Sequence, residues 1–465
     1  MTCAVRLAGN LFTALAAAGA LLLAGCERLP SPRESGELVV GVREAPAFFQ
    51  TEGEVDPATG KGSEPTGYEH DLIVDFARSQ GLEARFVVAA DPARLRQLIA
   101  DGKVHFGAAL PVEAPTARQT TTVRRVGNWV VGAADGLGPE SLDDLTGHEV
   151  HVVAGSPLAL ILRALANPPR VVEIPDADEM ELLRAVAEGR ASLAAVNEIH
   201  SDLATSYFPD LKPLVKLPGR LELGWHFAAE PAAWLKPLAD EFIDRAKNEG
   251  VLARLHDRYF GHIKRITGAG SAQFIADVRT RLPAYRRMFE AAEDLTGIDW
   301  RLIAALAYQE SKWDPLATSY TNVRGMMMLT EDTADALKVS NRLDPAESIR
   351  AGALYFLDLI EQLPPSTPHP DRLWMALAAY NLGMGHFRGG RAVAKMLKRD
   401  PDSWYEMKQV LPELSRPEIY ARLKSGRARG GEAVIMVENI RTYFDILSRL
   451  EPPRATPLPR PPARP

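Results

Sequence analysis

Short apolar runs alternate with amphipathic stretches through the first half of the chain, and helical periodicity alone fills the second. Leu38-Val39-Val40-Gly41-Val42 is a continuous apolar run of strand length, the pattern of a strand covered on both faces. His70 to Ser79 puts Leu72, Ile73, Phe76 and Ala77 on one helical face. Strands are predicted over 84–89, 104–110, 149–154, 170–174 and 192–196, with helices over 93–101, 157–166 and 178–188 between them. Residues 48–66 carry Gly, Pro, Asp and Thr and read as a loop. The alternation predicts an α/β unit with a largely parallel sheet, closed by a long helical stretch from Trp234 to Tyr259. After Gly268 the strand pattern stops. From Ala272 to Leu450 the periodicity is helical, broken at 314–325, 364–371 and 426–431. The expected architecture is multidomain: an α/β part, then an all-α part, dividing near residue 265.

Length agrees with that division, since 465 residues exceed one ordinary core. A net charge of −6, from 54 basic and 60 acidic residues, gives no basic excess for a nucleic-acid partner. The N-terminus departs from globular composition. Arg6 precedes an apolar run from Leu11 to Ala24, signal-peptide-like and short for a membrane span. The run ends in Leu23-Ala24-Gly25-Cys26, which resembles a bacterial lipobox. The resemblance implies removal of residues 1–25 and acylation of Cys26. Cys3 is lost with the signal, so the mature chain has no disulfide partner for Cys26. Glu27, rather than Asp, follows the cysteine, which implies the periplasmic face of the outer membrane. The expected divisions are a signal peptide (1–25), a lipidated Cys with a polar tether (26–36), an α/β domain (37–264), a helical domain (265–450) and a tail (451–465). The tail holds seven prolines and is not expected to pack as a helix.

Residues 37–261 resemble the periplasmic solute-binding domains that capture amino acids. The likeness rests on Gly41-Val42-Arg43, Gly67-Tyr68-Glu69-His70-Asp71-Leu72, Gly102-Lys103-Val104, and the closing Asn248-Glu249-Gly250-Val251 with Tyr259-Phe260-Gly261. It implies two α/β lobes around a ligand cleft, with an arginine gripping a carboxylate through a paired hydrogen bond. Arg118 stands near that position, one residue wider from Pro115 than the usual spacing, and the alternative is a solvated loop arginine. Asn197 stands where an acid would hold an ammonium, and an amide cannot neutralise that charge. The ligand is therefore a muropeptide or an amino acid, or this half is a scaffold.

The chemistry is expected in 297–315, GIDWRLIAALAYQESKWDP. Asp299 can cap a helix, and Trp300, Ile303, Leu306 and Ala307 form an apolar stripe. Glu310 falls on the same stripe, so its carboxyl should be partly desolvated and its pKa raised, as a general acid requires. Asp314, beside Pro315, reads as a turn residue. The ten histidines show no HExxH or paired spacing, so neither metal nor cofactor is expected.

Downstream stand Gly325-Met326-Met327-Met328-Leu329-Thr330 and Ala378-Ala379-Tyr380-Asn381-Leu382-Gly383. With Glu310-Ser311 and Pro315, these resemble the lysozyme-like lytic transglycosylases over roughly 285–445. Val323-Arg324-Gly325, Arg342-Leu343-Asp344-Pro345, Ser348-Ile349-Arg350, Gly430-Gly431-Glu432-Ala433 and Val437-Glu438-Asn439-Ile440-Arg441 place the likeness in the F subgroup. Met328 occupies the place of a usual Gln, and Met436 that of a common Tyr. The resemblance implies peptidoglycan glycan strands as substrate, with one carboxylate in place of the usual glycosidase pair. Glu310 would protonate the oxygen between N-acetylmuramic acid and N-acetylglucosamine. It would then deprotonate the muramoyl C6 hydroxyl, giving a 1,6-anhydro end. Ser311 and Asn381 would fix substrate or Glu310, Tyr380 would orient the acid or pack beneath it, and Met327 would pack in the core or line the cleft beside the sugar. For Ser311 and Tyr380 local structural hydrogen bonding is the alternative. The competing functions are a water-using hydrolase on the same fold and a non-catalytic sensor.

Overall fold

The computed structural model describes residues 29–51, 65–112, 117–136, 138–263, 265–319 and 322–454. Cys26, the signal segment 1–25, Pro115, Thr116 and the tail from 455 lie outside the described residues. The chain forms two compact units. One takes the chain through Arg43 with Ile73–Arg125 and Glu222–Asp244; the other takes Glu44–Leu72, Val126–Leu221 and Arg245 onward.

The strands are β1 (Glu37–Arg43), β2 (Glu83–Ala89), β3 (Phe106–Pro111), β4 (Arg124–Val126), β5 (Asn128–Ala133), β6 (Glu149–Val153), β7 (Arg170–Ile174), β8 (Leu193–Asn197), β9 (Leu211–Lys216) and β10 (Leu221–Phe227). Their companions in this half are α1 (Tyr68–Ser79), α2 (Pro92–Ala100), α3 (Pro157–Arg163), α4 (Glu179–Ala187), α5 (Glu198–Tyr207), α6 (Ala229–Asn248) and α7 (Val251–Phe260). They build two five-stranded sheets, ordered β2-β1-β3-β10-β4 and β7-β6-β8-β5-β9.

The expectation of a largely parallel arrangement needs correcting. β1 runs parallel to β2 and β3, but β10 is antiparallel to β3. Likewise β6 runs parallel to β7 and β8, but β5 is antiparallel to both β8 and β9. The strand that reverses in the second sheet is β5, since β9, antiparallel to β5, runs the same way as β8; in the first sheet it is β10, which interleaves Glu222 and His226 with its apolar residues. The long helical stretch expected from Trp234 is two helices, parted at Gly250 with φ of +72°.

Residues 29–36, expected within a tether, are docked on the first unit. Leu29 packs against the core of Val39, Leu95, Leu98 and Val104. Pro32 is buried at the start of a single helical turn, Pro32–Ser35, closed by a capping box of Ser31 and Glu34. Inside this unit Phe76, Phe106, Trp225 and Phe242 stack as a continuous aromatic core.

The helical half comprises α8 (Gly268–Thr280), α9 (Leu282–Thr296), α10 (Trp300–Ser311), α11 (Glu331–Ala336), α12 (Pro345–Glu361), α13 (Asp371–Leu382), α14 (Met384–Met396), α15 (Trp404–Val410) and α16 (Gly430–Leu450). α10 is its axis, packed against α16, α9 and α12. The burial goes beyond the expected stripe: every residue from Trp300 to Tyr308 is buried, around the whole helix. A run of alanines, Ala304, Ala305 and Ala307, lets neighbouring helices approach from several sides.

One charged cluster is sealed in this core. Glu438 pairs with Arg441 at 2.9 Å and accepts the indole N–H of Trp404 at 2.8 Å. Arg441 also donates to the carbonyls of Asp257 and Arg258, so α16 is fastened to α7. Burial opposes ionisation of Glu438, but the charges of Arg441, Lys408 and His262 outweigh it and hold the carboxyl at about 2. The folded value lies below the ordinary 4.5. The pair therefore stabilises fully above that value and is lost as pH falls toward about 2. Glu438→Gln, which leaves Arg441 buried without its anion, is expected to cost ~3–5 kcal/mol near neutrality. In thermal melts of wild type and variant, the gap should narrow as pH drops from 5 toward 2; a pH-independent gap counts against the ion pair.

Candidate active site

Helix α10 begins at Asp299, whose carboxylate accepts the Arg301 N–H at 2.8 Å, as expected of a cap. Its other end is unusual. Lys312 and Trp313 are successive left-handed residues, with φ of +55° and +57°, a conformation that disfavours side chains with a Cβ. The surroundings enforce it. Trp313 is buried, and its indole N–H reaches back to the Ala304 carbonyl at 2.8 Å. The Lys312 carbonyl accepts from Arg281 at 3.0 Å. The Lys312 ammonium lies over the Tyr308 ring and bonds Tyr443 Oη at 3.0 Å. The helix is thus cut directly after Ser311.

The cut leaves Glu310 in the final turn of a helix that is otherwise core. Its side chain is half-buried, and among the described residues no hydrogen bond or ion pair to it is found. Burial pushes its carboxyl up to about 8. The raised pKa expected from the apolar stripe is present, and it arises from desolvation.

The loop after α10 is built around Gly325. Its φ is +82°, and a Cβ there would lie 1.8 Å from the Arg342 carbonyl oxygen. Met326 and Met327 then turn inward and are completely buried. Their backbone is held by three hydroxyls. Ser311 Oγ donates to the Met326 carbonyl at 2.8 Å, Tyr380 Oη donates to the Met327 carbonyl at 2.9 Å, and Ser348 Oγ accepts the Met327 N–H at 3.1 Å.

Several site expectations change accordingly. Ser311 spends its hydroxyl on the loop rather than on substrate or Glu310, because the Met326 carbonyl has to be satisfied inside the core. The Met327 side chain does not line a sugar cleft; it fills the space above Gly352, where a Cβ would meet its Cγ at 2.6 Å. Tyr380 stands close enough to Glu310 that burial, and then the charge of that carboxylate, raise its phenol well above the ordinary value. Asn381 is exposed in the last turn of α13. Met328 is half-buried with φ of +47°. Met436 is buried on α16, which is why a methionine suits the place of a tyrosine. Asp314 accepts the Leu316 N–H at 2.9 Å as a turn residue.

In the α/β half, Asn197 caps α5, accepting the N–H groups of Ile199 and His200 at 3.1 Å each. Arg118 is exposed, and its carbonyl accepts the Phe227 N–H. Among the described residues no cluster of His, Cys, Asp or Glu is gathered to hold a metal ion.

The sequence pattern did not single out Asn439, which donates to Gln309 at 3.3 Å and links α16 to the residue before Glu310. Lys312 and Trp313 were also missed; an amphipathic pattern carries no signal for left-handed backbone.

Residues 287–401 match the family described as the transglycosylase SLT domain. Over 453 residues, 94% of both chains, the protein is 38% identical to membrane-bound lytic murein transglycosylase F of Methylobacillus flagellatus. It is 38% identical over 459 residues to the protein of the same description from Ectopseudomonas mendocina, covering 95% of this chain and 92% of the other. The chain belongs to the membrane-bound lytic murein transglycosylase F family. It is accordingly an enzyme of the lytic transglycosylase class, with Glu310 inside the matched domain. An amino acid ABC transporter substrate-binding protein from Streptococcus pneumoniae, solved with L-arginine, matches half of the chain at 18% identity and a TM-score of 0.44.

For this transglycosylase the Gly325 loop should be the least tolerant position. Gly325→Ala forces the loop off the Arg342 carbonyl and is expected to destabilise the helical half by ~2–4 kcal/mol. It should also depress glycan cleavage more than Met328→Gln does. Equal melting temperatures for Gly325→Ala and wild type would defeat this account of the loop.

Proposed function

We propose that Glu310 is the single acid and base of a non-hydrolytic cleavage of peptidoglycan glycan strands. The observation that carries this reading is a half-buried carboxyl at about 8, protonated at neutral pH, in the last turn of a core helix. Glu310 gives its proton to the glycosidic oxygen as the bond from muramoyl C1 breaks, leaving the N-acetylglucosamine 4-hydroxyl. The resulting carboxylate takes the proton of the muramoyl C6 hydroxyl while that oxygen bonds C1. The carboxyl is regenerated, a 1,6-anhydro ring forms, and no water is consumed. Asp314, the nearest carboxylate in sequence, is committed to its turn, which supports a one-carboxylate mechanism over a paired one. Tyr380 and Ser311 act through the methionine loop, as positioning residues. Asn381, exposed beside them, is the side chain of the motif free to meet sugar.

Digestion of purified cell wall tests this directly. Wild type should release anhydromuramic ends, each lighter by one water than a hydrolytic product, and Glu310→Gln should lose roughly 10²–10⁴-fold in rate. Because the first step needs the protonated acid, the rate should fall as pH rises through about 8. Reducing muramic ends would support the hydrolase instead, and an inert wild type the sensor.

The anchor reading supplies the location. Cys26 is the acylated first residue of the mature chain, at the periplasmic face of the outer membrane. No helix among the described residues is long and apolar enough to cross a membrane. Cys26→Ser should move the protein from the membrane fraction to the soluble one; retention at the membrane would sink the anchor. The α/β half is proposed to take a muropeptide or an amino acid, with Arg118 on its carboxylate. A thermal shift of the full chain with muropeptides, absent in Arg118→Ala, is the expected outcome.

A further inference from the structure

The docked residues 29–36 bear on how the enzyme meets a lipid surface. Their attachment is specific at every step. Leu29 packs on the core beneath β1. The Pro30 carbonyl meets His105 Nε2 at 3.1 Å, while His105 Nδ1 accepts the Val39 N–H at 2.9 Å. Since Nδ1 is an acceptor, Nε2 must carry the proton and donate to Pro30, so the neutral ring is used on both sides. Pro32 is buried, and the Arg33 guanidinium lies 4.2 Å from the centre of the Trp234 ring. Docking of this kind removes the freedom that a polar leader would otherwise have.

Only Glu27 and Arg28 stand between Cys26 and Leu29. Three extended peptide steps reach ~10 Å, about the depth of a headgroup layer. An acyl-bearing Cys26 therefore cannot sit in the bilayer while Leu29 stands well clear of it. From this juxtaposition we infer that the face of the first unit around the docked segment, with Trp234, Glu230 and Asp101 at its rim, rests directly on the phospholipid surface.

The inference rests on acylation of Cys26, as proposed above. The face itself is of mixed charge, with Arg33 on Trp234 and with Asp101 and Glu230 close by, so the short leash rather than electrostatic attraction holds it there. A cavity of ≈330 Å³ opens between the docked segment and the unit, lined by Leu29, Ile99, Val104, His105, Glu230 and Trp234. The contact is with headgroups at the rim; the cavity is the recess behind it.

The full-length lipidated protein is reconstituted in vesicles of phosphatidylethanolamine and phosphatidylglycerol carrying a headgroup nitroxide. Its only cysteines are Cys3 and Cys26, so Glu230→Cys provides a single free thiol for an environment-sensitive dye once Cys26 is acylated. Most of the dye's emission should be quenched. An insertion of about twelve Gly/Ser residues between Arg28 and Leu29, roughly 20 Å as a coil, should restore it. Mass spectrometry of the N-terminal peptide separates the failures. An unacylated Cys26 removes the anchor reading and this inference with it. An acylated Cys26 with an unquenched dye, or quenching unchanged by the insertion, overturns the inference alone.

Discussion

The hydrogen bond from the Trp313 indole to the Ala304 carbonyl is the constraint on which the catalytic half turns. It folds the chain back on the helix that precedes it and holds two residues in a conformation they would otherwise avoid. Without that reversal α10 would run on, and the side chains after Glu310 would continue the helix. With it, one carboxyl is placed where the hydrophobic core ends. Desolvation there keeps that carboxyl protonated at neutral pH.

The loop around Gly325 completes the arrangement by a division of labour. The methionine side chains supply packing, and their backbone supplies the polar contacts that Ser311, Ser348 and Tyr380 satisfy. Residues that a motif groups together as a site are therefore of two kinds. Glu310 is poised for chemistry, whereas Ser311 and Tyr380 hold a buried strand of backbone still. Substituting them is expected to act through displacement of the loop.

Element type was legible where periodicity was strong. β1, β7, α1 and α10 follow directly from runs of Leu, Val, Ile and Phe at spacings of two or of three and four. β9 and β10 were not legible, because Pro213, Lys212, Glu222 and His226 interrupt their pattern, and the reversal of β5 was not, because antiparallel return needs no local signal. The docked leader escaped for a related reason: Leu29 and Pro32 are too few to form a pattern, and the His105 partner lies far along the chain. In the site, the raised pKa of Glu310 could be read from the stripe it shares with Ile303 and Leu306. The inward turn of Met327 and the capping duty of Asn197 could not, since both depend on which neighbour arrives in three dimensions.

The choice of thioethers under the loop carries a chemical liability. Met326 and Met327 are fully enclosed, while Met328 beside them is half-buried. Sulfoxide formation converts a pliant apolar side chain into a polar, bulkier one, and neither enclosed position has room or partners for the new oxygen. Where oxidants reach the protein, the support beneath Glu310 is protected by the enclosure of these two side chains.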